Sequence, residues 1–214
     1  MPHIRLFGAR TSPFARKIRI VLAEKNISFD YHPESTVGER GKASNTIIHH
    51  NPLGKVPVIV VDGKLDIYDS RVIEEYLEWL VPAPALLPPE GMDRVMVKRW
   101  EAMADGICDA GGIWMKERRR KENPNQENID LQARKFERGI EQASRQLGGN
   151  QWCHGNAYSL ADIAIGSAFA WMCMRHPQKA GEWKKQYANL EALHDRLMQR
   201  SAFASTIPPV VPAV

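Results

Sequence analysis

The sequence has only three cysteines, Cys108, Cys153 and Cys173, and no C-x-x-C pair. An odd, scattered set excludes a disulfide framework and fits a reducing compartment. Cys153-His154 has no further ligands at metal spacing, so no metal is expected. Long apolar runs are also missing. Runs such as Val56 to Val61 are far too short to span a bilayer. The N-terminus, Met1-Pro2-His3-Ile4-Arg5-Leu6-Phe7, lacks the charged segment and apolar core of a signal peptide. An excess of one charge is absent too. The net charge is +4, with 11 basic and 10 acidic residues up to residue 80 and 18 and 15 beyond it. Composition therefore does not call for nucleic acid or an anionic membrane. The expectation is a soluble cytoplasmic protein.

A chain of 214 residues and 43% hydrophobic content is long enough for one large domain or two small ones. It can bury about 70% of its unfolded surface without disulfides or a structural metal. Val81-Pro82-Ala83-Pro84-Ala85-Leu86-Leu87-Pro88-Pro89 places four prolines in nine residues. Proline removes backbone donors and disfavours helix in the residue before it. We read residues 81–91 as a linker between a domain at 1–80 and a second at 92–205, with a Pro-rich tail at 206–214.

The first part alternates short strands and helices. Ile4 to Phe7 reads as a strand ending at Gly8, and Phe14, Ile18, Val21 and Leu22 mark an amphipathic helix. Ser28 to His32 reads as a strand, and a short helix is expected around residues 44–49. Val58 to Val61 and Leu65 to Tyr68 flank the hairpin signal Asp62-Gly63-Lys64. Ile73 to Leu80 completes a β-α-β-α-β-β-α order. The second part reads as all helix. Met96, Trp100, Met103, Ile107 and Trp114 fit one face, and Ile129, Ala133, Phe136, Ile140, Ala143 and Leu147 fit another. From Leu160 to Met174 only Asp162 is charged, as expected of a buried central helix. Leu190, Leu193, Leu197 and Met198 mark a last helix.

Three short segments carry candidate chemistry. In Thr11-Ser12-Pro13-Phe14-Ala15-Arg16-Lys17, Pro13 suits a first helical turn. Ser12 then stands near the N-cap, either as a plain capping serine or as a hydroxyl aimed at a bound anion. In Asn51-Pro52-Leu53-Gly54-Lys55-Val56-Pro57, Pro57 sits at the mouth of a strand where proline is poorly tolerated. A cis bond there would leave the Val56 N–H and C=O free to pair with an extended ligand. The bland reading is a strand-edge proline. Asp69-Ser70 opens the next helix, as an ordinary cap or as a grip on an amino-acid head group: Ser70 for the carboxylate, Asp69 for the ammonium.

These segments, in this order, resemble the thioredoxin-like domain of glutathione S-transferases, most closely bacterial members of the serine type. The match extends over the whole chain, because Ser159-Leu160-Ala161-Asp162 is similar to the capping box that opens the buried helix in this family. The resemblance implies an α/β thioredoxin-like N-terminal domain joined to an all-α C-terminal domain, in a homodimer active in detoxification. It implies that Ser12 donates to the glutathione sulfur, that Val56 pairs with the cysteinyl backbone, that Pro57 is cis, and that Asp69 and Ser70 hold the γ-glutamyl end. It also suggests Lys42 for the glycyl carboxylate and Asp105 as an acid reaching the glutathione of the second subunit. Phe14, with Ile107, Gly111 and Trp114, is expected to line an apolar pocket for a second substrate between the domains.

The implied enzyme is a glutathione S-transferase, with glutathione as co-substrate and no prosthetic group. A free thiol has a pKa near 8.5, and lowering it by about two units requires roughly 2.7 kcal/mol of differential stabilisation. One charge-assisted hydrogen bond, at about 1.5–3 kcal/mol, supplies much of this. Ser12 thus acts by holding the thiolate that attacks a small apolar electrophile. Two alternatives stand beside this. One is a non-catalytic module of the same fold that binds glutathione or apolar ligands. The other is a glutathione-dependent reductase or peroxidase, although Ser12-Pro13-Phe14-Ala15 lacks the cysteines of a glutaredoxin-like motif.

Overall fold

The computed structural model describes residues 1–34 and 44–209. These divide into two compact units, Met1–Leu86 with Ser201–Pro209, and Leu87–Arg200.

The first unit is built on a four-stranded sheet: β1 (Ile4–Gly8), β2 (Asp30–Pro33), β3 (Val58–Val61) and β4 (Leu65–Ile67). Its order is β2-β1-β3-β4, with β1 parallel to β2 and antiparallel to β3, and β3 antiparallel to β4. Left-handed backbone at Asp62 and Gly63 makes the tight β3–β4 turn. Helices α1 (Pro13–Glu24) and α3 (Ser70–Leu80) pack together, and the short helix α2 (Asn45–His50) lies between β2 and β3 in the chain. Side chains alternate across the sheet. Phe7 and Val60 face one side and form a small core with Ile47 of α2. This is a thioredoxin-like α/β unit.

The two basic residues after Phe14 have structural roles in this unit. Lys17 Nζ lies 3.3 Å from Glu74 Oε1, with both side chains almost fully buried, so the ion pair ties α1 to α3. Arg16 donates from Nη2 to Phe203 O at 3.3 Å and from Nε to Thr206 Oγ1 at 3.4 Å. Burial, with Arg19 beside it, lowers the Arg16 pKa to about 10. These contacts fasten the short helix α9 (Ser201–Ala204) to α1, so the polypeptide returns to its first unit near its end. The Pro-rich stretch is fastened as well. Lys25 Nζ donates to Val81 O and Pro84 O and pairs with Glu78, which accepts from the Leu86 N–H.

The second unit contains α4 (Gly91–Arg118), α5 (Gln126–Leu147), α6 (Leu160–Arg175), α7 (Pro177–Gln186) and α8 (Ala188–Met198). Buried α6 packs on α4, α7 and α8, while α5 packs on α4. Its start is fixed by a capping box. Asp162 accepts from the Ser159 N–H at 2.8 Å and from the Cys153 N–H at 2.7 Å. Close helix contact depends on glycine. A Cβ at Gly111 would lie 2.8 Å from the Trp171 ring, and one at Gly139 2.5 Å from Ile107. Helix α7 escapes sequence reading because Trp183 is its only buried residue, so it has no apolar stripe. Among the described residues no helix is long and apolar enough to cross a membrane.

Candidate functional site

Strand register brings the three candidate segments to one end of the sheet. Phe7, near the end of β1, stands opposite Val58, the first residue of β3. The chain leaving β1 toward Ser12 therefore runs beside the chain entering β3 from Val56 and Pro57. Ile59 stands opposite Ile67, the last residue of β4, so Asp69 and Ser70 leave from the same end. The buried Lys17–Glu74 pair joins the fifth residue of α1 to the fifth residue of α3. It holds the two helix starts level.

Ser12 is the N-cap of α1, with Pro13 as the first helical residue. Its Oγ accepts from the Ala15 N–H at 3.2 Å, and its carbonyl accepts from the Arg16 N–H at 3.0 Å. Because Oγ accepts in this cap, its own O–H proton remains a donor. The capping reading and the ligand reading thus coexist on one hydroxyl. Gly8 lets the helix start approach the strand, since a Cβ there would lie 2.7 Å from Ala15 Cβ. Phe14, the next site candidate, is half-buried.

The Val56–Pro57 peptide is cis, as are Tyr68–Asp69 and Ala83–Pro84. Val56 lies two residues before β3, so its peptide groups are not part of the ladder with β1. The loop that presents it is organised by Asn51, which is almost fully buried. Asn51 Nδ2 donates to Lys55 O at 2.9 Å, Oδ1 accepts from the Leu53 N–H at 3.0 Å, and its carbonyl accepts from the Gly54 N–H at 2.8 Å. Left-handed Gly54 completes the turn. Sequence reasoning quoted Asn51 in its motif without giving it this role. The signal was available in principle, because an Asn before a Pro-x-Gly turn is a side-chain-to-backbone turn former.

Asp69 is the N-cap of α3. Its Oδ1 accepts from the Arg71 N–H at 3.1 Å while the side chain stays mostly exposed. Ser70, the first helical residue, is buried. His50 also has an orienting partner, which sequence reading did not find. Its Nδ1 lies 2.8 Å from Asp66 Oδ1. Both belong to the first unit, 16 residues apart and on different elements, a pairing that periodicity does not show.

Other expectations fall elsewhere. Lys42 lies outside the described residues. Asp105 is buried on α4. Ile107, Gly111 and Trp114 are buried on α4 and pack within the helical unit. Trp114 stacks on His176 with centroids 4.6 Å apart and tilts against Phe136 at 5.6 Å. An apolar stripe at helical spacing marks a buried face, and core and ligand lining give the same pattern. Among the described residues no His/Cys/Asp/Glu group fit to hold a metal occurs.

Comparison with known proteins bears on the family and the fold. Residues 6–85 match the glutathione S-transferase N-terminal domain, and residues 126–196 match the C-terminal domain. The uncharacterized GST-like protein YibF of Escherichia coli K12 is 35% identical over 207 residues, which is 96% of this chain and 99% of that protein. A glutathione S-transferase from Methylobacterium radiotolerans, solved with glutathione sulfonate, superposes with a TM-score of 0.90 at 35% identity. The match covers 99% of this chain and 98% of that one. A second, from Methylobacillus flagellatus with bound glutathione, gives 0.88 at 36% identity over 96% and 100% of the two chains. On a fold of two such units and on these likenesses, the chain belongs to the glutathione S-transferase family.

Proposed function

We propose that this protein is a serine-type glutathione transferase: it binds glutathione at the sheet end bearing Ser12, Val56, Pro57, Asp69 and Ser70 and activates the thiol toward a small apolar electrophile. The observation that carries the reading is the Ser12 cap, where Oγ accepts from Ala15 N–H and its O–H proton is left as a donor beside the start of α1. A thiolate there gains a charge-assisted hydrogen bond and the positive end of the helix dipole. The solved relatives with bound glutathione or its sulfonate support the choice of ligand.

In this reading Val56 main-chain groups pair with the cysteinyl backbone as an added strand would. Ser70 and the first N–H groups of α3 receive the γ-glutamyl carboxylate, and Asp69 accepts from its ammonium. Phe14 borders the tripeptide. The cap, the loop and the second cap all lie at one end of the sheet, which brings the groups that would hold the tripeptide together. Glutathione is a co-substrate that enters and leaves, and no prosthetic group is part of the scheme. A homodimer in the cytoplasm, acting in detoxification, completes the proposal.

The test is retention on immobilised glutathione followed by conjugation of a model aryl halide. Wild type is expected to be retained and to turn over. Ser12→Ala is expected to be retained but to lose about tenfold or more in kcat, the loss of one charge-assisted hydrogen bond made mainly to the thiolate. Retention of wild type without turnover would convert the reading to a non-catalytic binding module. No retention would reject both.

A further inference from the structure

Two of the segments assigned to glutathione hang on weak elements. The Asn51–Val56 loop follows α2, a helix of six residues. So short a helix is marginal without tertiary anchors. Asp69 and Ser70 follow β4, a strand of three residues that, among the described residues, pairs with β3 alone. A side-chain contact joins the two elements directly. His50, the last residue of α2, reaches Asp66 in the middle of β4 through Nδ1 and Oδ1 at 2.8 Å. Asp66 stands opposite Val60, on the sheet face that carries Phe7. The His50 ring lies 5.0 Å from the Phe7 ring, centroid to centroid, and Phe7 also stacks on His32 at 4.8 Å. The imidazole is mostly buried, with its side chain 13% exposed, so its orientation is set by ring packing and by the carboxylate together.

We propose that His50 and Asp66 are a positioning pair that sets the spacing between the two glutathione-holding segments, the Asn51–Val56 loop and Asp69–Ser70. The inference rests on the glutathione site proposed above. His50 is followed at once by Asn51, whose side chain shapes the loop up to Lys55. Asp66 lies three residues before Asp69. A bond across the pair therefore fixes the reach from the cysteinyl backbone to the γ-glutamyl end. Neither side chain is asked to touch glutathione. Ser12 enters from β1 and α1, outside this brace, so the thiol-activating step is independent of it.

The test measures reduced glutathione binding by calorimetry, with KM and kcat for conjugation, in wild type, His50→Ala, Asp66→Ala and the double variant. Loss of one hydrogen bond predicts a rise of about five- to tenfold in Kd and in KM for glutathione, with kcat changed less than about twofold. The double variant should be no worse than either single one. His50→Asn, whose amide reaches the position of Nδ1, should recover most of the affinity. Equal glutathione affinity in all variants, or losses that simply add, would overturn the pairing while leaving the glutathione site standing. A lowered melting temperature with unchanged affinity would show a merely structural contact and would also overturn it. Failure of wild type to bind glutathione would remove the site itself and the inference with it.

Discussion

Ser12 shows how one hydroxyl can serve two partners. Its oxygen satisfies a helix N–H while its proton remains available. Lys17 and Glu74 show a different case, two opposite charges paired in a buried site. Removing one partner of such a pair leaves an uncompensated charge, whereas replacing both with apolar residues of similar size is tolerated. Lys17→Met is therefore expected to destabilise the protein by about 3–5 kcal/mol in urea unfolding, and Lys17→Met with Glu74→Leu to recover most of that loss. His176 is a third case. It is buried against Trp114 and Trp183, and both ring nitrogens are without hydrogen-bond partners. Burial first, then the nearby charges of Arg118, Lys179, Arg119 and Arg175, hold its pKa down to about 4 from 6.5. The unfolded chain then binds a proton that the folded chain refuses between those values. The His176 contribution to stability is present above pH 6.5 and falls as pH drops toward 4, by at most about 3 kcal/mol. His176→Phe is expected to flatten that part of the pH–stability curve, measured as the difference from wild type by urea titration at pH 7 and pH 4.5. An unchanged difference between the two pH values would count against a neutral, buried imidazole.

At the scale of elements, caps and turns were the most legible features. Ser12-Pro13, Asp69-Ser70 and Ser159 to Asp162 each appear in the structure at the helix start where their sequence places them. Such signals are local, so a single sequence contains them. The Asp62-Gly63 hairpin was legible for the same reason. What connects the elements was not. Asn51, the His50–Asp66 contact, the Lys17–Glu74 pair and the Arg16 anchor to α9 all depend on residues that meet only after folding. Buried charged residues look like surface residues to any periodicity argument, which explains why Arg16 and Lys17 were not assigned a place. Asp162 carries the element-scale prediction. It is fully buried, burial raises its pKa, and it accepts from both Ser159 and Cys153. Asp162→Ala is expected to cost about 2–4 kcal/mol in chemical denaturation, since it removes a helix cap and leaves buried N–H groups unpaired. Asp162→Asn, which keeps an acceptor, should cost less.

For the whole molecule, the sequence separated an α/β part from a helical part through its Pro-rich break and its change of periodicity. It did not show that residues 201–209 pack with the first unit, because their anchor, Arg16, lies almost two hundred residues away. The sheet end proposed to bind glutathione follows from topology. Strands β1 and β4 deliver helix starts to the end at which β3 begins, so three sequence-distant segments meet without long loops. Central to the account is the contact between the Ser12 hydroxyl and the sulfur of bound glutathione. Its most direct measurement is the pH titration of the bound thiol, followed by thiolate absorbance in wild type and in Ser12→Ala. The account predicts a thiol pKa about two units below 8.5 in the wild-type complex, returning most of the way in the variant. The same bound-thiol pKa in both proteins would contradict it.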